Sequence, residues 1–278
     1  MESFGRGRTG QWLVDLDGVV WTGERPIPGA AGALRRLGEA GTQLAYFTNN
    51  SHPRRGDHLA KLARHGLDVD PGDLLTSAEA AARLCRPGER ALVLGGPGIQ
   101  EALEARGVEP VQPGSQGARS VDAVVVGLDL VLDYWRLSAG MRAVLAGARL
   151  VATNDDATFP VRDGLQPGAG SVLAALEVAT GARAVVAGKP NEPAASLVAE
   201  RLGRVDLVVG DRTSTDGALA RRLGARFALV LSGVTRPGAE VTGPEPDLVA
   251  TDVADLVRHA LSGEPLEPGG LGGGAPTR

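Results

Sequence analysis

The chain has one cysteine in 278 residues, and only 3% of its residues are aromatic. The single thiol, Cys85, cannot form an internal disulfide, which points to a bystander in a reduced, cytoplasmic setting. With so few rings, the core has to be built from Ala, Val and Leu. No apolar run approaches the ~20 residues that span a bilayer. Arginines near the start are followed by no apolar stretch before Asp15, so no signal peptide is expected. Charge of one sign is also missing in bulk: 29 Lys and Arg face 33 Asp and Glu, for a net −4. With the arginines scattered, there is no basic footprint for nucleic acid.

What is present alternates. The runs Trp12–Val14, Leu44–Phe47, Ala184–Ala187 and Leu207–Val209 read as buried strands. Helical spacing marks Gly29–Ala40, Pro53–His65, Pro193–Leu202 and Asp216–Leu223, with Gly41, Gly66, Gly203 and Gly224 as stops. Phe227–Leu231 adds a strand. This order predicts an α/β fold with a doubly wound parallel sheet. The interval between Ser51 and Gly188 carries strands Ala91–Leu94, Ala123–Val126 and Leu150–Ala152 and helices Ile99–Arg106 and Trp135–Ala146. It is long enough for a separate lobe lying over the site as a cap. The expected division is a core of 1–73 and 183–262, a cap of 74–182, and a flexible Gly/Pro-rich tail of 263–278.

Each of the four motif-bearing strands ends in a polar motif: Asp15-Leu-Asp17-Gly18, Thr48-Asn49-Asn50-Ser51, Gly188-Lys189-Pro190, and Gly210-Asp211 through Asp216. In an open parallel sheet, ligands bind beyond the carboxyl ends of the strands. Acids, a hydroxyl and an ammonium are therefore expected at one mouth, as a phosphate and metal site. At ~4 Å and an effective dielectric near 20, each like-charged carboxylate pair costs about 4 kcal/mol, so such a cluster needs a cation. Oxygen ligands beside a phosphorylated substrate favour Mg²⁺. Asp15, nearest the strand end, suits a nucleophile on phosphorus; Asp17, one step out, suits an acid and base. Thr48 and the Asn49 N–H would bind phosphoryl oxygens, and Lys189 would neutralise charge. Monoester hydrolysis needs up to ~10²¹-fold acceleration, which explains so many polar groups in one place.

These motifs, with Val19 after Gly18 and Thr215 before Asp216, resemble motifs I to IV of the haloacid dehalogenase superfamily. The likeness is closest to the NagD-like, or p-nitrophenylphosphatase-like, branch with a C2-type cap. Val126–Asp129, Ala152-Thr153-Asn154-x-Asp156 and Pro167–Ser171 resemble cap segments of that branch. The resemblance implies Asp15 as nucleophile and metal ligand, and Asp17 as acid/base with its carbonyl on Mg²⁺. It implies Thr48, Asn49 and Lys189 on the phosphoryl group, Asp211 on the metal, and Asp216 supporting a bound water or the loop. Dehalogenases of the superfamily lack the second aspartate of motif I, so Asp17 points to phosphate chemistry. Homodimerisation is expected by the same analogy.

Substrate choice falls to the cap loop Asn154–Phe159, where Asn154, Asp156 and Phe159, with Asn50 from the core, join the expected binding residues. Pyridoxal-phosphate phosphatases of the branch carry a histidine near the position of Phe159. Asp155 suits a hydroxyl-rich leaving group, so the expected substrate is a small sugar or polyol phosphate such as glycerol phosphate. Pyridoxal phosphate and nucleoside monophosphates are the alternatives, with phosphotransfer or a binding module without turnover behind them. Three blander readings stand beside these. Asp216 serves equally well as a helix cap. His52, His58 and His65 read as solvated surface. Gly95-Gly96-Pro97-Gly98 lacks the Gly-Lys-Ser/Thr ending of a phosphate loop and reads as a tight turn.

Overall fold

The structure, a computed structural model, describes residues 10–115, 118, 120–161, 164–239 and 243–263. Beyond Gly263, the expected tail lies outside the described residues. The chain opens with strands β1 (Gln11–Asp15), β2 (Trp21–Thr22) and β3 (Arg25–Pro26) and helix α1 (Ala30–Glu39). Then come β4 (Gln43–Thr48), α2 (Arg55–Arg64), β5 (Leu74–Thr76) and α3 (Ser77–Ala82). The middle holds β6 (Arg90–Leu94), α4 (Pro97–Ala105), β7 (Glu109–Val111), β8 (Ala123–Val126) and α5 (Tyr134–Leu145). It continues through β9 (Arg149–Ala152), β10 (Thr158–Val161), β11 (Gly164–Pro167), α6 (Ala169–Thr180) and β12 (Val185–Val186). Helix α7 (Glu192–Leu202), β13 (Leu207–Gly210), α8 (Ala218–Leu223), β14 (Arg226–Val230), β15 (Leu248–Ala250) and α9 (Val253–Ser262) complete it.

Two compact units result. Among the described residues, one comprises 10–47, 61–74 and 198–263; the other comprises Thr48–Ala60 and, within Leu75–Leu197, the rest. A six-stranded sheet runs β15-β14-β13-β1-β4-β5. From β1 the chain winds outward through β4 and β5, then returns to the other side of β1 through β13, β14 and β15. The winding therefore reverses between β1 and β13, which pair in parallel with Val14 opposite Val209. In α1, Ala30, Ala33, Leu34 and Leu37 are buried, a spacing that puts one face on the core. Asp252 caps α9 by accepting the Asp255 N–H, and Gly263 ends that helix at φ 73°.

The second unit has a five-stranded sheet in the order β12-β9-β8-β6-β7, with every pairing parallel. Its winding reverses between β6 and β8. Ala123-Val124-Val125-Val126 is buried throughout, as expected for a parallel strand covered on both faces. Leu92, Leu94, Val124, Val126, Leu150, Leu173 and Leu176 form its core. An antiparallel hairpin, β10–β11, is added.

The motif pattern puts Ala184–Ala187 in the same sheet as the other motif-bearing strands. Instead, β12 pairs with β9 in the five-stranded sheet, Val185 opposite Val151 and Val186 opposite Ala152. A two-residue strand carries no periodicity that says which sheet it joins. Helix α6, the α3 turn and the β10–β11 hairpin also went unforeseen.

Candidate active site

Three carboxylates converge in the first unit. Asp15 ends β1, Asp211 follows β13, and Asp216 sits in a π-helical turn over Thr213–Gly217. With Val14 level with Val209, the ends of β1 and β13 are flush. One oxygen from each acid lies within 4.8 Å of the others, and all three residues are buried. The place is the sheet's reversal point, where an open α/β sheet leaves a crevice.

Glycine makes the room for these acids. At Gly233 a Cβ would overlap Asp211 Oδ2, and at Gly210 it would overlap the Asp216 carboxylate. Gly18 adds a backbone requirement, since its φ is +86° and a Cβ there would also strike Asp211 Oδ2. The loop after β14 closes around Asp211: Val234 N–H donates to its Oδ2 at 2.5 Å, and Thr235 Oγ1 donates to its carbonyl at 2.6 Å. Ser232 Oγ binds the Gly18 carbonyl at 2.7 Å. Asp216 accepts the Arg212 N–H at 3.2 Å. It does not cap α8, whose N-cap is Gly217 without a side-chain bond.

Asp17 lies outside this carboxylate set. Its Oδ1 accepts the Trp21 indole N–H at 3.0 Å. The hairpin-like turn holding it is tight, with Gly18 N–H on the Trp21 carbonyl at 2.6 Å and the Val20 N–H on Leu16 O at 2.9 Å.

A second polar cluster forms within the other unit, around Asn49. Its Oδ1 accepts the Lys189 N–H at 2.9 Å, while its Nδ2 donates to Lys189 O at 3.1 Å and to Asp156 Oδ2 at 3.2 Å. Asn154 Nδ2 donates to the same Asp156 oxygen at 2.8 Å. Ser77, which the sequence reading did not single out, donates to the Asn49 carbonyl at 2.8 Å. Lys189 is 3% exposed, and its peptide bond to Pro190 is cis. Gly188 has to be glycine: a Cβ would sit 2.6 Å from Asn49 Oδ1 and overlap the Thr153 carbonyl. Thr48, buried, accepts the Asn50 N–H on its hydroxyl at 3.0 Å.

The remaining expected residues lie in the same unit. Asn50 Oδ1 accepts the His52 N–H at 3.2 Å. Ser51 Oγ is 2.9 Å from Thr153 Oγ1 in a buried contact. Phe159 is half-buried on the β10–β11 hairpin, opposite Gln166.

The histidines are not solvated as expected. His58 is buried with Nε2 3.1 Å from Asn50 O, and His52 Nδ1 is 3.0 Å from Leu128 O. His65 packs on Trp21 and has its Nε2 buried without a partner. Burial, then the Lys61 and Arg64 charges, push its pKa below the usual histidine value.

Comparison with known proteins agrees with this architecture. Residues 12–109 match the family model for haloacid dehalogenase-like hydrolases, and residues 186–256 match a second one for HAD-hydrolase-like proteins. The chain belongs to the haloacid dehalogenase-like hydrolases. Within them its relatives place it in the capped type IIA branch. It is 35% identical to the D-glycerol 3-phosphate phosphatase of Mycobacterium tuberculosis over 95% of this chain and 77% of that protein. The magnesium complex of that M. tuberculosis glycerol phosphate phosphatase superposes with a TM-score of 0.81, at 33% identity over 92% of this chain and 78% of that one. Human chronophin is 38% identical over 83% of each protein. The p-nitrophenyl phosphatase of Archaeoglobus fulgidus superposes with a TM-score of 0.80, at 31% identity over 90% of this chain and 98% of that one.

Proposed function

We propose that this protein is a Mg²⁺-dependent phosphomonoesterase acting on a small phosphorylated metabolite, a sugar or polyol phosphate such as glycerol phosphate. The observation that carries the reading is the buried Asp15–Asp211–Asp216 nest at the reversal point of the six-stranded sheet. Three hard oxygen donors within 4.8 Å of one another fit a small divalent cation. Mg²⁺ held there by Asp15, Asp211, the Asp17 carbonyl and, directly or through water, Asp216 would neutralise charge on the phosphoryl oxygens.

The residues then divide the work. An Asp15 oxygen bonds to phosphorus as the bond from phosphorus to the leaving oxygen breaks, and Asp17 gives that oxygen its proton. Asp17, now a carboxylate, takes a proton from water as water attacks the aspartyl phosphate and frees Asp15. Thr48, the Asn49 N–H and Lys189 hold the transferring group, in keeping with the reciprocal bonds that fix Asn49 to the Lys189 backbone. We assign residues 74–182 as the cap, with Asn50, Asn154, Asp156 and Phe159 contacting the substrate. The preference for glycerol phosphate draws on the named activity of the M. tuberculosis relative.

A homodimer, formed through the cap, accords with the exposed stretch Leu130, Val131, Tyr134 and Trp135, whose two rings are 76% and 72% exposed. Gel filtration at two concentrations tests it. Among the described residues no helix is long and apolar enough to cross a membrane. We assign a cytoplasmic location from the chain's single cysteine, Cys85.

The deciding experiment is phosphate release from glycerol phosphates, sugar phosphates, pyridoxal phosphate, nucleoside monophosphates and p-nitrophenyl phosphate, with Mg²⁺ or EDTA. Metal-dependent turnover, strongest on polyol phosphates and lost in Asp17→Asn, supports the reading. Turnover that persists in EDTA, or none on any ester, overturns it.

A further inference from the structure

Trp21 lies four residues beyond Asp17 and is 1% exposed, among the largest fully buried side chains. Its indole Nε1–H meets Asp17 Oδ1 at 3.0 Å. Lys61 Nζ stands 4.4 Å from the ring centroid and is itself tied to Gly23 O at 2.7 Å and Glu24 Oε1 at 3.1 Å. The His65 ring is 5.7 Å away, tilted by 44°. A ring held on this many sides has one orientation, and so has its N–H.

We propose that Trp21 is a positioning residue for Asp17: its indole N–H fixes the orientation of the carboxyl group that protonates the leaving oxygen. This rests on the acid role given to Asp17 above. An indole nitrogen only donates. It therefore keeps Asp17 Oδ1 as an acceptor and holds the carboxyl group in one orientation. The leaving oxygen, as its bond to phosphorus breaks and the Asp15 oxygen bonds to phosphorus, then receives its proton from a carboxyl group held in one orientation. Asp17 is left as a carboxylate still accepting the indole N–H.

Leaving groups separate this role from packing. An alkoxide needs the proton; p-nitrophenolate departs without it. The ratio kcat/KM includes only steps through departure of the leaving group, so the later role of Asp17 as a base does not enter. The test replaces Trp21 site-specifically with β-(3-benzothienyl)alanine, which keeps the bicyclic ring and exchanges N–H for sulfur. Trp21→Phe serves as a second variant. With Mg²⁺, kcat/KM for the fastest alkyl monoester of the panel should fall about 10- to 100-fold, with that for p-nitrophenyl phosphate within about 3-fold of wild type.

Equal losses on both esters, or no loss on either, overturn the inference while leaving the phosphatase reading intact. A wild type that acts on the aryl ester alone also overturns it, since no proton donor is then required. A wild type that hydrolyses neither overturns the phosphatase reading, and the inference with it.

Discussion

The molecule contains two parallel sheets, each with one point where the winding reverses, and the two points are used differently. Between β1 and β13, glycines give way to carboxylates: Gly18, Gly210 and Gly233 stand back so that Asp211 and Asp216 fit. Between β6 and β8, glycines give way to the chain itself. A Cβ on Gly98 would strike the Pro53 carbonyl and lie 2.7 Å from that of Ser51. One on Gly96 would overlap His52, and one on Gly127 would meet Ser51 Oγ at 2.6 Å. The same topology thus brings buried carboxylates to the reversal point in one unit and closely packed backbone in the other. Topology locates a crevice; the residues at its rim decide whether it stays open.

The comparison breaks hardest at Asp15. Asp15→Asn should lower Mg²⁺-dependent phosphate release by about 10⁴-fold or more, because residues acting as one catalytic unit fail together. An active variant would remove the functional contrast between the two reversal points.

Gly233→Ala comes next. Crowding Asp211 should raise the Mg²⁺ concentration for half-maximal activity about 10- to 100-fold, as second-shell changes do, read by titrating metal against turnover.

Gly98→Ala is its counterpart in the other sheet. Overpacking against Pro53 should cost about 1–3 kcal/mol in denaturant unfolding and leave the metal titration as in wild type. A shift in metal dependence there would mean the packed reversal point is not inert.

The smallest effect concerns His65, whose folded pKa is lowered by burial and by neighbouring Lys61 and Arg64. As pH falls through the ordinary histidine value near 6.5, the unfolded chain takes the proton first. Stability should therefore decline below that pH, and His65→Gln should flatten the decline in melting temperature. Parallel curves for the two proteins would contradict this.

Much of the first unit was legible because its signals are local. Asp15, Asp211 and Asp216 each sit in a short motif beside an apolar strand, and parallel register brings their strand ends level. The glycines of Gly95–Gly98 mark a turn in the sequence, and β6 does pass there into α4. What a linear reading lacked was the long-range partner. Nothing near Gly233 says that it clears space for Asp211, 22 positions earlier, and nothing around Ser77 points to Asn49. His58 reads as an ordinary polar residue until Asn50 O is seen beside its ring. The sheet that β12 joins is hidden from the sequence for the same reason, because its two valines pair with residues more than thirty positions away.

The three glycines around the acids bear on how this enzyme can diverge. Drift can trade leucine for methionine in the core, and recombination can exchange whole cap loops, since neither changes the room around Asp211 and Asp216. Adding a single methyl at Gly18, Gly210 or Gly233 removes that room at once. In a library of all single substitutions selected for turnover at limiting Mg²⁺, these positions should be depleted next after the aspartates. The most constrained positions of the chain would then include three that have no side chain at all.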